Sequence, residues 1–160
     1  MRGFITGLPR SRTHWFAQYF DGIEGVTAHF EPLNGMRSKQ AFYDLVETGC
    51  IISDSGLYIT DFERFGLPTV IIERDIGAVY ESLLRVFGRL NYSILEDQAA
   101  KLAKLSGLRV PFEDINARME EIHNYLGVPF NAEYADRMVG LNLQVSEIAG
   151  DVESFELWAA

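Results

Sequence analysis

The chain has 160 residues, 48% of them hydrophobic and 23% charged, with a net charge of −9 and one cysteine, Cys50. This size suits a single domain over 1–160. The acidic balance excludes the basic face a nucleic-acid binder needs, and no apolar run reaches the ~20 residues of a bilayer span. With no secretory leader pattern and no second cysteine to pair with, a reducing, cytoplasmic setting is expected.

In chain order, "RGFIT" (2–6) reads as a short strand, followed by the loop "GLPRSRTHW" (7–15) and a helix over about 12–21. "GVTAHF" (25–30) is a second strand, with a helix over about 37–48 after it. "GCIIS" (49–53) is a third strand, and a helical segment is expected around 57–65. "PTVIIER" (68–74), rich in β-branched residues, is the most strand-like run. A helix follows Asp75, an N-cap candidate, with Val79, Leu83 and Val86 on one face. The next helix covers about 92–105 and ends at Gly107; "LRVPF" (108–112) is a fifth, weaker strand. Ile115, Met119, Ile122 and Leu126 then mark a helix that Gly127 ends, and the tail from Val128 is acidic and less patterned. Alternating strands and helices predict a three-layer α/β domain, a parallel sheet of about five strands with helices on both faces. Ligands in such sheets bind at the carboxyl ends of the strands, where the first loop lies.

Gly7 permits an unusual backbone angle, and Pro9 stiffens the turn. Ser11 and Thr13 set hydroxyls at a helix start, whose unpaired N–H groups attract an anion, and Arg10 adds a forked permanent charge. Distant surface carboxylates do not cancel such a site, because screening limits their reach to about 8 Å. An ordinary strand-to-helix turn with an N-cap is the competing reading of the same residues.

"GLPRSRTHW" resembles the 5′-phosphosulfate loop of the sulfotransferase family, Pro-Lys/Arg-Ser-Gly-Thr-Thr-Trp/Leu. The resemblance implies a P-loop-like fold and 3′-phosphoadenosine 5′-phosphosulfate (PAPS) as sulfuryl donor, with adenosine 3′,5′-bisphosphate as product and no metal. It aligns Pro9, Arg10, Ser11 and Thr13 with the motif and sets Trp15 on an aromatic that stacks on adenine; core packing is the alternative for Trp15. Arg12 replaces the family's glycine, crowding the ligand or adding a donor, and His14 replaces its second threonine.

"VIIERDIGAVYESLLR" (70–85) resembles the family's 3′-phosphate motif. Arg74 and Ser82 match its two phosphate ligands, one at a strand end and the other about two turns into the next helix, at roughly 3.6 residues per turn. Ile76 replaces the usual proline. "LRVPFEDINARMEEIHNYLGVPF" (108–130) resembles a late, structural segment of the family. The family's closing loop on the 3′-phosphate is not recognisable in "ADRMVGLNLQV", where Arg137 is a partial substitute at most.

Sulfuryl transfer needs charge stabilisation on the leaving side, for which Arg10 is the candidate, and a base for the acceptor. "AHFEPLNG" (28–35) offers Glu31 as base, with His29 on the same strand face as orienter or substitute. Asp54, in "SDSG" (53–56), is a further base candidate or a turn residue, and His123 is structural. Aromatics such as Phe30, Tyr58 and Tyr92 are candidates to line an acceptor pocket or fill the core. The acceptor is a small molecule, and its site is either open or completed by a second copy of the chain. Two other readings stand: a P-loop small-molecule kinase, disfavoured because no Gly-Lys-Ser/Thr ends the loop, and an inactive binding protein on the same fold.

Overall fold

In the computed structural model, which describes residues 2–32, 38–55, 65–88 and 91–139, the apolar runs form five strands. β1 (Gly3–Gly7), β2 (Ala28–Phe30), β3 (Ile51–Asp54), β4 (Thr69–Glu73) and β5 (Leu108–Pro111) lie parallel in the order β2-β3-β1-β4-β5. β1 and β3 are buried along their whole length and β4 along all but its last residue. Burial on both faces is why these strands read as unbroken apolar runs rather than alternating ones. Thr6 stands in register with Asp54 on one side and Ile71 on the other. The chain leaves β1 toward one edge of the sheet and later crosses to the other, so the carboxyl end of β1 is where the connections diverge.

Six helices accompany the described strands: α1 (Thr13–Asp21), α2 (Lys39–Glu47), α3 (Ile76–Phe87), α4 (Tyr92–Leu102), α5 (Met119–Leu126) and α6 (Ala132–Val139). One face of the sheet, with Ile5, Ile51, Val70, Ile72 and Val110, packs against Phe16 and Phe20 of α1, Ile122 of α5 and Ala135 of α6. On the other face Phe4 and Ile52 meet Phe42 and Val46 of α2, and Ile71 meets Val79, Leu83, Leu95 and Leu102 of α3 and α4. The three-layer parallel α/β architecture expected from the alternation is therefore present. No helix among the described residues is long and apolar enough to cross a membrane.

The local signals hold in several places. The Asp75 carboxylate accepts the Ala78 N–H at 2.9 Å and starts α3, while Gly127, at φ 68°, ends α5. Elsewhere the structure differs. β2 is only three residues long, because a turn in which Val26 N–H reaches the Ile23 carbonyl occupies its expected start. The expected helix from Ile115 begins as two short 3-10 turns, Phe112–Asp114 and Asn116–Arg118, before α5. α6 lies in the tail that carried little pattern; Asn131 Oδ1 accepts the Tyr134 N–H at 2.9 Å at its start. Gly107 does not serve as a helix stop. A Cβ there would sit 2.1 Å from the Thr69 carbonyl oxygen, so glycine is required by close contact with β4. The helical segment expected around 57–65 lies, but for Phe65, outside the described residues.

His123 of α5 is fully buried against α1 and acts structurally. Its Nδ1 lies 2.9 Å from the Pro129 carbonyl, which can only accept, so Nδ1 carries the proton and Nε2 accepts the Tyr19 hydroxyl at 2.7 Å. Burial pushes the His123 pKa below its ordinary value and the Tyr19 pKa upward. The neutral imidazole therefore contributes its full stability above the unfolded value of about 6.5, and that contribution is lost as pH falls through the lower folded value. Moving from about pH 7.5 to 5.5 should lower the urea midpoint of the parent more than that of His123→Gln. Equal shifts in the two proteins would remove His123 as the titrating group.

Candidate functional site

The site starts where β1 runs out. A Cβ at Gly7 would meet the Ile72 carbonyl oxygen at 2.9 Å and Ser11 Cβ at 3.1 Å, so glycine lets the loop fold back against the end of β4. Arg10 (φ 66°) and Arg12 (φ 62°) then adopt left-handed backbone on either side of Ser11. Non-glycine residues held this way cost on the order of 1 kcal/mol or more each, a strain that clusters at ligand sites. Arg12 is the N-cap of α1, yet no side chain caps the helix. Its first-turn N–H groups thus keep their attraction for an anion. Ser11 is fully buried, and its hydroxyl has no hydrogen-bond partner among the described residues; the same holds for Thr6, near the end of β1. Thr13, the first residue of α1, is also buried.

The second motif arrives at the same place. From the end of β4, the Arg74 guanidinium donates to the Arg10 carbonyl and lies 4.1 Å from the Phe112 ring centroid. Arg10 Nε approaches Ser82 Oγ of α3 at 3.4 Å. Arg10, Arg74 and Ser82, read from two motifs distant in sequence, are brought together. Burial holds the Arg74 pKa below its ordinary value, as does the charge of Arg10; Glu113 pulls the other way, and Arg12 adds the smallest lowering. Burial alone lowers that of Arg12. Both remain cations at neutral pH. Among the described residues neither has a carboxylate at ion-pair distance. Half-buried like charges without a counter-ion are costly, and an anion relieves that cost.

Arg12 also donates to Asn116 Oδ1 at 2.7 Å, with its guanidinium 5.6 Å from the centroids of both Trp15 and Phe112. Trp15 is a correction to the stacking expectation. It is only 5% exposed, stacks on Tyr19 at 5.0 Å, meets Phe16 edge-on, and donates Nε1–H to the Met138 carbonyl at 3.3 Å. With Arg12 over the ring as well, it is a core residue. His14 lies along α1, stacked on Phe30 at 4.6 Å and with Nε2 2.9 Å from the Gln18 amide nitrogen. Pro9 is partly exposed in the loop.

On the β2–β3 side, the strand ends at Phe30, and Glu31 has a left-handed backbone, φ 40°. The alternation expected to put Glu31 and His29 on one face is thereby broken. The Glu31 N–H donates to the Ser53 carbonyl at 2.9 Å, and its Oε1 accepts from the Ser55 hydroxyl. Ser53 Oγ in turn donates to the Thr13 carbonyl at 2.6 Å, which ties this rim to the start of α1. His29 stands in register with Ile52, and Asp54 is buried at the end of β3. Sequence reading missed Ser55, Phe112 and Asn116. Only Ser55 had a local signal, its place at a strand's carboxyl end.

No protein-family model and no curated protein matches the chain. Among solved structures it is similar to mouse sulfotransferase SULT7A1 complexed with PAP, at 13% sequence identity and a TM-score of 0.61. The match covers 86% of this chain and 62% of that one, so this chain spans less than two-thirds of that protein's length. With five parallel strands flanked by helices and this likeness, the chain has a sulfotransferase-like fold.

Proposed function

We propose that the chain is a PAPS-dependent sulfotransferase that transfers a sulfuryl group to a hydroxyl or amine on a small molecule, in the cytoplasm. The observation that carries this reading is the meeting of Arg10, Arg74 and Ser82 at an uncapped helix start, beside a buried Ser11 hydroxyl without a partner among the described residues. The PAP bound by the mouse protein of like fold supports a nucleotide with phosphates at both ends of its ribose. When bound, PAPS supplies an activated sulfuryl group whose leaving side is a phosphate.

Arg10, the Ser11 and Thr13 groups and the first N–H groups of α1 hold the 5′ end and stabilise the charge that grows there. Arg74 and Ser82 hold the 3′-phosphate. Glu31 takes the acceptor's proton, and its hydrogen bond from Ser55 orients the carboxylate. His29 is the substitute base. Because the loop ends without Gly-Lys-Ser/Thr, a P-loop kinase reading would need Arg12 and Thr13 to replace the lysine and the Mg²⁺-ligating hydroxyl, which disfavours it.

Calorimetric titration tests the reading. Adenosine 3′,5′-bisphosphate should bind in the micromolar range or tighter, equally with and without Mg²⁺, and ATP should bind at least about tenfold more weakly, a difference of about 1.4 kcal/mol. Mg²⁺-dependent binding of ATP in preference to the bisphosphate would move the chain to the kinase class.

A further inference from the structure

We propose that Asn116 is a positioning residue that turns Arg12 into a third anion-binding arginine of this site. The inference rests on the bisphosphate reading above and extends it to a residue outside both phosphate motifs. Arg12 occupies a left-handed backbone position, φ 62°, at the N-cap of α1. From there its guanidinium crosses to the turn after β5, where Asn116 Oδ1 accepts from it at 2.7 Å. This bond sets it against Phe112, the ring that also carries Arg74 at 4.1 Å. Two guanidinium groups are thus held on one aromatic ring beside the anion loop.

The identity of the acceptor decides what this arrangement does. An aspartate in place of Asn116 would hold Arg12 equally well and would cancel its charge. Asparagine holds it through a neutral oxygen and leaves the charge in place. Among the described residues the Arg12 guanidinium forms no other hydrogen bond and no ion pair, so its remaining N–H groups are available to a ligand. A purely structural arginine, half-buried at this depth, gains from a carboxylate partner. The ligand this arrangement suits is a nucleotide carrying more than one phosphate or sulfonate group.

The test is calorimetric titration of adenosine 3′,5′-bisphosphate at low ionic strength, with thermal melts of each protein. Asn116→Asp should weaken binding about tenfold while leaving the melting temperature unchanged or raised, because the Arg12 bond becomes an ion pair. Arg12→Gly should weaken binding to a similar extent, although it relieves the left-handed backbone. The double variant should bind no more weakly than Arg12→Gly alone. Binding by Asn116→Asp within about twofold of the parent overturns the inference. So does an additive double variant, because the introduced carboxylate would then repel the ligand without acting through Arg12. In both of these cases the bisphosphate reading stands, provided the parent binds; a parent that does not bind removes both.

Discussion

Arg74→Ala is expected to weaken adenosine 3′,5′-bisphosphate binding by two orders of magnitude or more while leaving the melting temperature unchanged or slightly higher. Two losses combine in the binding term. The ligand loses a charge-assisted contact, and the Arg10 carbonyl loses the guanidinium that fixes the loop in its left-handed turn. Hydrogen bonds to charged groups contribute about 1.5–3 kcal/mol each. Two of them correspond to a roughly hundredfold or greater change in affinity. Stability responds differently. Arg74 is half-buried and repelled by Arg10 and, more weakly, by Arg12, with Glu113 opposing them, so its removal relieves a cost as well as breaking contacts. Calorimetry and a thermal melt on the same sample separate the two effects. A variant that binds like the parent would place the 3′-phosphate elsewhere. One that merely unfolds would make Arg74 a structural residue.

Gly107→Ala is expected to destabilise the fold by about 3 kcal/mol, the upper end of what overpacking costs. The added carbon would lie 2.1 Å from the Thr69 carbonyl oxygen and 3.1 Å from the Thr69 carbonyl carbon. Backbone cannot swing aside as a flexible side chain can, and Thr69 opens β4, so β4 and the chain entering β5 must part. Gly25→Ala is the control. Its φ is 79° with nothing within 4 Å of the added carbon, so it carries backbone strain alone, about 1–2 kcal/mol. Urea unfolding of both should rank Gly107→Ala as clearly the more damaging. Equal midpoints would mean that β4 and β5 tolerate separation here.

The features legible in the sequence are those whose physics is local. β1 and β4 announce themselves because burial on both faces demands unbroken apolar runs, and Asp75 and Gly127 because each acts on backbone within a few residues. Arg74 and Ser82 belong to a single strand-to-helix unit, so their separation along the chain fixes their separation in space. Trp15 was ambiguous for the opposite reason. Whether an aromatic at a helix start faces a ligand or the core depends on what covers it, and here the cover includes Tyr19 and the Met138 carbonyl. Asn116 was invisible as a site residue because its partner lies 104 positions away. α6 was missed because only Ala135 of its eight residues is fully buried, leaving little apolar period to read.

The strand order has a consequence for the chain during its synthesis. β1 lies at the centre of the sheet, yet its two partners, β3 at residues 51–54 and β4 at 69–73, are made much later. At roughly 5–20 residues per second, several seconds pass between the emergence of "GFITG" and that of the second strand which covers it. Until β3 emerges this apolar segment has open backbone edges on both sides, and until β4 emerges one of them stays open. Such segments are where nascent chains associate wrongly. Gly7, which begins the loop after β1, ends this same segment, so the proposed nucleotide site cannot take shape until β4 has been made and has docked.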